Sequence, residues 1–577
     1  MEKPVQLRRD CQPSAVPLKN SYYHGTCDEP LISETIGDVL DEAAGENPDH
    51  VVFRTNEFQE QITLIELKRR AGELSKALQA SGLQRGDIVL LVGITDIEFF
   101  VLYFAITQIG LVFLYPELDE PVEKDTTIYC NMKPAAIFIG RQHSPASISV
   151  IDDFVQNHKI PGSGSVSVVL VNASIPNRNY IDYNNFLHLG KTIPDIDYLS
   201  RRRKVSIDDV AVLFVSSGTS SNEKKTSCAT HHIIVNVAKF GHVRMCPHMS
   251  NEVIGVLNPV IDDAVCLLQL VRTVLNKVVC VLGSPSITPT PDATESFMSY
   301  VEKEKITWYS GMPFELIFAM KSQSRNKYDL SSLRGGGLLG QVTKPQTKAQ
   351  LAKLFPESAT LFGATEALAG LATSVVYSTP EQRLSTVGYG FPHCEIKLVD
   401  SNNVIVPIGE QGEICIRGWT VFKEYLNDQQ LTSQAKDLSK NGWYHYGDIG
   451  IMDGSGHVTY IGRKADCVRY KHFSDVVYPA QILSVIESND KIQNAKVIGI
   501  QSDEKGDDIC LCVEPKEGCT ITEKELSDML QDKLLENMRP DYYFVFEELP
   551  RTGSRRKIAS NVLKNIIAAK LKEKTGK

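Results

Sequence analysis

The stretch Asn441–Asp466, NGWYHYGDIGIMDGSGHVTYIGRKAD, holds the most informative local pattern in this 577-residue chain. Asp448 comes directly after a tyrosine and a glycine, and Arg463 follows about one hairpin later. The turn pair Asp453-Gly454 between them predicts a two-strand hairpin, whose ends lie close together. A carboxylate that accepts from hydroxyl groups beside a phosphate-neutralising arginine suits a nucleotide. The alternative is a surface hairpin with a salt bridge.

Length and composition limit the classes of protein that the chain can belong to. A chain of 577 residues is too long for one hydrophobic core, so we expect two or more lobes. Its net charge of -9 argues against a nucleic-acid-binding protein, which usually carries a basic face. The thirteen cysteines are scattered without paired CxxC spacing. They predict reduced thiols in an intracellular compartment and no metal site of their own.

Targeting signals are weak. Residues 1–20 have no apolar core for a secretory signal, and Glu2 and Asp10 dilute the positive charge that a mitochondrial presequence needs. The last three residues, Thr-Gly-Lys, are not a peroxisomal address. The longest apolar run, Phe99–Tyr115, is interrupted by polar residues and a glycine, so it predicts a buried helix and strand, with no transmembrane segment. We expect an intracellular protein, with mitochondrion and cytoplasm both open.

Most of the chain alternates strands and helices, which predicts a large N-terminal lobe of layered α/β subdomains. Helical periodicity runs from Glu66 to Ser81. The predicted strands of this part are 88–92, 111–114, 135–139, 166–171 and 210–215. The basic run Arg201–Lys204 is expected to be a solvated loop.

From Gly388 onward the pattern changes to turn-rich β structure, which predicts a β-rich subdomain with strands at 395–400, 412–417 and 457–461. After Asp466 a small α+β C-terminal lobe on a hinge is expected. Its helices are predicted near 480–488 and 523–535 and its strands near 497–500 and 509–513. The expected division is an N-terminal extension at 1–30, a large domain at 31–462 and a mobile C-terminal domain at 463–577.

Two loops suit phosphate chemistry. Ser216–Lys225, SSGTSSNEKK, follows a predicted strand and can wrap phosphate with backbone amides, hydroxyls and lysines. Its alternative is a flexible polar loop. Phe362–Glu366, FGATE, places a glutamate at the carboxyl end of a strand, where it suits Mg²⁺ beside a phosphate. Its alternative is a helix N-terminus, where glutamate is favoured anyway.

Two further segments are weaker candidates. Gly335–Gly337 allows close approach of a flat ligand to the backbone, or forms a turn. Pro550–Ile558, PRTGSRRKI, is a cationic loop that can reach an anionic intermediate, or is a solvated basic tail.

The order of these motifs, together with Gly311–Pro313, resembles the adenylate-forming superfamily, which includes acyl-CoA synthetases, beetle luciferases and peptide-synthetase adenylation domains. The resemblance covers nearly the whole chain. Ser21–Thr26 and Ile416–Gly418 look most like the medium-chain acyl-CoA synthetases called acyl-CoA synthetase family member 2.

The resemblance implies roles for individual residues. In the phosphate loop, Ser217, Gly218, Thr219 and either Lys224 or Lys225 would hold the ATP phosphates. Glu366 and Thr219 would bind Mg²⁺, Thr365 would lie near the α-phosphate, and Gly336 and Gly363 would line the nucleotide. Asp448 would accept the ribose hydroxyls and Arg463 would support the same region. Lys557 would be the catalytic lysine.

The implied reaction has two steps. A small-molecule carboxylate, expected to be a medium- or long-chain fatty acid, attacks the α-phosphorus of ATP to give acyl-AMP and pyrophosphate. Coenzyme A then displaces AMP. The family rotates its small domain between the two steps, so that the lysine serves only the first step.

Several positions depart from the family pattern. The phosphate loop carries Glu223 where glycine and proline are usual, and the acyl-site segment contains Asp262 and Asp263. Ala465 occupies the hinge position, and Lys557 lies one place late, which leaves Arg556 in register. The sequence therefore supports two hypotheses: an AMP-forming carboxylate–CoA ligase, or a catalytically impaired pseudoenzyme that binds nucleotide or acyl ligand without turnover.

Overall fold

The computed structural model describes residues 10–115, 122–158, 166–176, 178–215, 225–245, 252–256, 264–283, 291–311, 313–339, 345–436, 441–470, 475–486, 489, 491–502, 506–531, 533–552 and 557–575. The strands are β1 Tyr22–His24, β2 Val51–Thr55, β3 Gln61–Thr63, β4 Ile88–Val92, β5 Val112–Leu114, β6 Ala136–Ile139, β7 Ser167–Leu170, β8 Ile181–Asp182, β9 Val210–Val215, β10 Thr226–Thr230, β11 Val253–Val256, β12 Val279–Leu282, β13 Trp308–Gly311, β14 Gly335–Leu339, β15 Ala359–Ala364, β16 Ala367–Ala372, β17 Tyr389–Gly390, β18 Glu395–Val399, β19 Gln411–Arg417, β20 Tyr444–Met452, β21 Val458–Arg463, β22 Val468–Tyr470, β23 Asp475–Val477, β24 Ile492–Ser502, β25 Gly506–Pro515, β26 Tyr542–Val545, β27 Arg551–Thr552 and β28 Lys557–Ile558.

The helices are α1 Ile36–Glu46, α2 Leu64–Ala80, α3 Glu98–Thr107, α4 Val122–Asn131, α5 Pro145–Asn157, α6 Tyr183–Leu189, α7 Asp195–Arg202, α8 His231–Met245, α9 Ala264–Asn276, α10 Pro291–Glu304, α11 Pro313–Lys321, α12 Pro345–Leu354, α13 Pro380–Ser385, α14 Gln429–Lys436, α15 Pro479–Ile486, α16 Glu523–Gln531 and α17 Ser560–Thr575. Within the described ranges, no helix combines the length and the apolar character that a membrane crossing requires.

Two large sheets form the α/β part of the molecule, as the alternating pattern predicts. One has the strand order β10-β9-β5-β4-β6-β7-β8, and the other has the order β17-β16-β15-β14-β13-β11-β12-β2-β3. Neighbouring strands inside each sheet run parallel, and antiparallel pairs lie at the edges. Parallel strands covered on both faces need continuous apolar runs, and β4 (IVLLV) is such a run.

The β-rich part is an antiparallel sheet with the order β1-β18-β19-β20-β21. The predicted change of pattern at Gly388 is confirmed, because β18 to β21 all lie beyond it. The last described part is a small α+β unit. In it the three-stranded sheet β24-β25-β26 packs with α15, α16 and α17, and has hydrophobic clusters of its own. The α/β fold class is thus confirmed, whereas the domain boundaries at 30 and 462 stay predictions.

Residues 10–30 of the predicted N-terminal extension lie against the body of the protein. Asp10 forms a buried ion pair with Arg244 at the end of α8, with Oδ1 2.8 Å from Nη2. The Arg244 guanidinium also lies 4.2 Å from the ring centre of Tyr389 and 4.5 Å from that of Phe391. The first described residues are therefore part of the folded core.

Two expectations about local structure are wrong. Gly335–Gly337 does not form a turn but begins the central strand β14, where a Cβ on Gly337 would lie 2.4 Å from the Trp308 ring. Arg201 and Arg202 do not lie in a solvated loop but end helix α7. Arg201 donates to the carbonyl oxygens of Leu83 and Ile109, so its guanidinium serves packing.

Candidate active site

Glu366 lies in a tight connection between two strands. β15 ends at Ala364, β16 begins at Ala367, and the two strands are antiparallel. Thr365 and Glu366 form the turn between them, so the alternative of a helix N-terminus is wrong. Gly363, next to this turn, is exposed. The sheet therefore presents this glutamate at the carboxyl end of β15, where ligands of α/β proteins usually bind.

Both oxygens of the buried Glu366 carboxylate accept a hydrogen bond. The Thr365 hydroxyl donates to Oε2 at 2.9 Å, and the Tyr425 hydroxyl donates to Oε1 at 2.7 Å. Both donors are neutral, so they fix the orientation of the carboxylate without adding a positive charge beside it. A carboxylate held in this way is suited to bind a cation.

Lys225 lies near the same tyrosine. Its Nζ is 5.7 Å from the centre of the Tyr425 ring, within the range of a cation–π contact. Lys225 is the last residue of the predicted phosphate loop, the first of the loop that the structure describes, and directly precedes β10. The loop residues Ser217, Gly218, Thr219 and Lys224 lie outside the described residues, so their roles stay predictions.

Asp448 and Arg463 are direct partners in the β20–β21 hairpin. This confirms the hairpin that the Asp453-Gly454 turn predicts. Asp448 Oδ1 lies 3.0 Å from Arg463 Nε, yet this buried oxygen accepts no hydrogen bond from the residues that the structure describes. Burial raises the pKa of Asp448 to about 6, and the attraction of Arg463 offsets only part of that effect. An oxygen of this kind is ready to accept from a hydroxyl of a ligand.

The two carboxylates lie near one aromatic cluster. The ring of Phe362, on β15, is 5.1 Å from that of Tyr446 and 6.0 Å from that of Tyr460. Burial chiefly raises the pKa of Tyr446, and the charges of both Asp448 and Glu366 raise it further. Both acids are therefore within electrostatic reach of the same buried hydroxyl.

Among the predicted site residues that the structure describes, Gly336 lies away from the turn that carries Glu366. The register of β14 and β15 aligns Gly337 with Ala359. Gly336 is therefore about five residues, or roughly 17 Å, from Gly363 along the strand direction. Its own Cβ position would lie 2.4 Å from the carbonyl oxygen of Tyr309, so close packing requires glycine here. Residues 340–344, which follow β14, lie outside the described residues.

The predicted hinge segment, Arg463–Asp466, is tied to the β-rich sheet. Lys464 begins a short 3-10 helix with Ala465 and Asp466, and its Nζ lies 2.7 Å from Glu413 Oε2 on β19. Burial opposes ionisation of Glu413, but hydrogen bonds from His445 and Lys464 outweigh it and lower its pKa to about 2. The backbone of Lys557 pairs with Thr552, whereas its side chain and residues 553–556 lie outside the described part.

Tyr425 is a side-chain partner of Glu366 that the sequence analysis missed. It is 59 positions from Glu366 in the chain, and a tyrosine between Glu424 and Leu426 has no local feature that marks it as part of a site. The sequence analysis also missed Glu413, because its surroundings in the sequence are typical of an exposed strand position.

Comparison with known proteins agrees with the fold. The family model described as AMP-binding enzyme matches residues 40–426, and the model described as AMP-binding enzyme C-terminal domain matches residues 482–556. A curated relative from Danio rerio, medium-chain acyl-CoA ligase ACSF2, mitochondrial, is 26% identical, and the match covers 98% of this chain and 93% of the relative.

Two solved structures share the fold. ATP-bound MatB from Rhodopseudomonas palustris is 19% identical with a TM-score of 0.75, and covers 93% of this chain and 99% of its own. The anthranilate CoA ligase AuaEII, in complex with anthranoyl-AMP, is 18% identical with a TM-score of 0.78, and covers 94% and 99%. These findings confirm the resemblance to the adenylate-forming superfamily. Because the AMP-binding enzyme model matches more than half of this chain, the chain belongs to the AMP-binding enzyme family.

Proposed function

We propose that the chain is an AMP-forming carboxylate–CoA ligase that acts on a medium- or long-chain fatty acid. The observation that carries the proposal is the buried Glu366 carboxylate, which two neutral hydroxyl donors hold at the end of β15 in a protein of the AMP-binding enzyme family. The substrate class rests on the Danio rerio relative, which is named a medium-chain acyl-CoA ligase.

In the first step, a carboxylate oxygen of the acid attacks the α-phosphorus of ATP. The bond from that phosphorus to the bridging oxygen breaks, and pyrophosphate leaves. This step depends on positioning and on neutralising negative charge. Lys225 would supply positive charge at the phosphate side, where Thr365 and Glu366 lie. In the second step, the sulfur of coenzyme A attacks the acyl carbon and AMP leaves.

The residues present fit Mg²⁺. Magnesium prefers oxygen ligands and usually keeps waters and substrate phosphates, so a single fixed carboxylate is enough from the protein. In the described parts of the chain, no cluster of three or more His, Cys, Asp or Glu could hold a metal ion. Glu366 would therefore hold a Mg²⁺ that arrives with ATP, and this ion would neutralise charge on the phosphates.

The ribose of ATP would bind beside the β20–β21 hairpin. Asp448 would accept hydrogen bonds from the ribose hydroxyls through the oxygen that has no other donor. Arg463 would stabilise the ionised form of Asp448 and face the sugar-phosphate region. From the family resemblance we assign the remaining phosphate contacts to Ser217, Gly218, Thr219 and Lys224, and the catalytic role to Lys557.

We place this reaction inside the cell. The eleven cysteines whose side chains the structure describes are free thiols, which fits a reducing compartment. The Danio rerio relative is named mitochondrial. Fractionation of cells that express the full chain would decide between mitochondrion and cytoplasm.

The test is ATP–pyrophosphate exchange by the purified chain with Mg²⁺ and a panel of fatty and aromatic acids. We expect exchange that depends on fatty acids, and a loss of about a hundredfold in Glu366→Gln. Glu295→Gln makes the same chemical change at a half-exposed position on α10 and should leave the rate unchanged. Absence of exchange with every acid, in protein that still binds ATP, would overturn the proposal in favour of the pseudoenzyme.

A further inference from the structure

We infer that Tyr425 is a positioning residue that holds the Glu366 carboxylate for the cation and links it to Lys225 at the end of the phosphate loop. The inference deepens the proposed function and rests on it. It is carried by two contacts of one side chain, the 2.7 Å hydrogen bond to Glu366 and the 5.7 Å approach of Lys225 to the ring.

The hydroxyl of Tyr425 is suited to orient an acid without neutralising it. Tyr425 is buried, and a phenol hydroxyl carries its proton at neutral pH. The group therefore stays protonated and keeps donating. A lysine or arginine in the same place would cancel the charge that attracts a divalent cation, whereas a neutral hydroxyl leaves the charge in place.

The backbone around Tyr425 ties together the two parts of the site. At one end of this segment, the Phe422 amide donates to the carbonyl oxygen of Glu366 at 2.8 Å. At the other end, the Leu426 amide donates to Thr226, the residue after Lys225, at 2.9 Å. A shift of the phosphate loop would thus move the tyrosine and, through its hydroxyl, the carboxylate. Residues 422–426 form a short bridge between phosphate loop and metal-binding turn.

The ring and the hydroxyl have separable effects. Tyr425→Phe removes only the hydroxyl and keeps the face toward Lys225. Glu366 Oε1 then has no donor, and the carboxylate can rotate away. Tyr425→Leu also removes the aromatic face, so Lys225 loses its cation–π contact. The first change should affect the contribution of Mg²⁺ to ATP binding, and the second should in addition weaken ATP binding without the metal.

Calorimetry of ATP binding to the full chain, with and without Mg²⁺, tests the inference. We expect Tyr425→Phe to lower affinity about tenfold with Mg²⁺ and less than about twofold without it. Tyr300→Phe is the matched control, because that buried tyrosine also donates one hydrogen bond, to the carbonyl oxygen of Val281 at 2.6 Å. It should change stability and leave the effect of Mg²⁺ on ATP affinity as in the wild type.

A double-mutant cycle separates the loss of the contact between Tyr425 and Glu366 from a general loss of folding. In a Glu366→Gln background, Tyr425→Phe should have no further effect on binding with Mg²⁺, because the group that it orients is gone. An equal loss in both backgrounds, or an unchanged effect of Mg²⁺ in folded Tyr425→Phe, would overturn the inference. Wild-type protein that binds ATP with Mg²⁺ but gives no pyrophosphate exchange would refute the proposed function alone. A wild type without Mg²⁺-dependent ATP binding would refute both.

Discussion

Asp448 faces Arg463 across the β20–β21 hairpin with 3.0 Å between Oδ1 and Nε, and its pKa is nevertheless raised to about 6. Burial of the carboxyl outweighs the attraction of the half-exposed guanidinium. A raised carboxyl pKa means that the ionised form is less stable in the folded protein than in water. The apo protein therefore maintains this charge at a cost in stability, as expected of a group that is kept for a ligand.

Asp448→Asn should stabilise the apo protein and weaken nucleotide binding. The raised pKa corresponds to a cost on the order of 3 kcal/mol above pH 6. We expect a gain of about 1–2 kcal/mol in the free energy of unfolding, since the buried amide has its own desolvation cost. ATP affinity should fall about tenfold, because the amide accepts less strongly than a carboxylate. A lower thermal midpoint for the variant would contradict this account.

The same pair predicts a pH dependence with a defined sign. A carboxyl with a raised folded-state pKa adds stability below about pH 4, and this is lost as pH rises through about 6. The stability advantage of Asp448→Asn should therefore be present at pH 8 and vanish near pH 4. Wild-type ATP affinity should fall more steeply than that of the variant as pH drops through 6, because only the wild type loses the Asp448 carboxylate.

The prediction concerns the difference in the free energy of unfolding between wild type and variant, because other groups titrate in this pH range. Burial lowers the pKa of His231 and of His457 to about 4. A lowered histidine pKa gives stability that is present above about 6.5 and lost as pH falls, in both proteins alike. When the free energy of unfolding of the wild type is subtracted from that of the variant at each pH, these shared contributions cancel.

Local pattern was enough to predict much of the fold. Strand 88–92 is predicted with its observed bounds, because a continuous apolar run between Gly86 and Gly93 has no other stable arrangement. The hairpin 441–466 is predicted because its turn residues and its alternation agree. The helix predicted at 66–81 is observed as Leu64–Ala80, where the Thr63 side chain caps the first turn.

Contacts between distant parts of the chain could not be predicted. Asp10 and Arg244 are 234 positions apart in the chain. They form their buried ion pair only after the complete fold has brought them together. The triple glycine illustrates the same limit. Its composition fits a turn or a ligand loop, and only the neighbours Trp308 and Tyr309 show that a packed strand excludes any Cβ there.

Gly336→Ala tests whether this glycine serves packing or ligand binding. The new Cβ would lie 2.4 Å from the carbonyl oxygen of Tyr309, which should cost about 2–3 kcal/mol of stability. Gly45→Ala is the matched control. Gly45 is an exposed residue of α1 with nothing within 4 Å of its Cβ position, so alanine should stabilise by up to ~1 kcal/mol. Chemical denaturation measures the change in the free energy of unfolding for both variants. Unchanged stability with weaker ATP binding in Gly336→Ala would instead support the predicted ligand role.

Asp10→Asn should destabilise the protein strongly. It leaves the fully buried Arg244 cation without its carboxylate, which typically costs about 3–5 kcal/mol. Glu295→Gln removes a carboxylate 3.9 Å from the exposed Lys327 and should cost less than about 1 kcal/mol. A comparison of denaturant midpoints at equal slope gives the two values. Equal small losses would show that the N-terminal segment contributes little to the core.

Lys557→Ala should separate the two half-reactions. The lysine is expected to neutralise charge that spreads from the α-phosphorus only while acyl-AMP forms. We predict a loss of about a hundredfold in acyl-AMP formation and little change in thioester formation from supplied acyl-AMP. Lys564→Ala, on the exposed face of α17, is the control for loss of a lysine in the same segment. Equal losses in both steps would indicate misfolding, and a selective loss in Arg556→Ala instead would assign the role to the arginine that is in register with the family pattern.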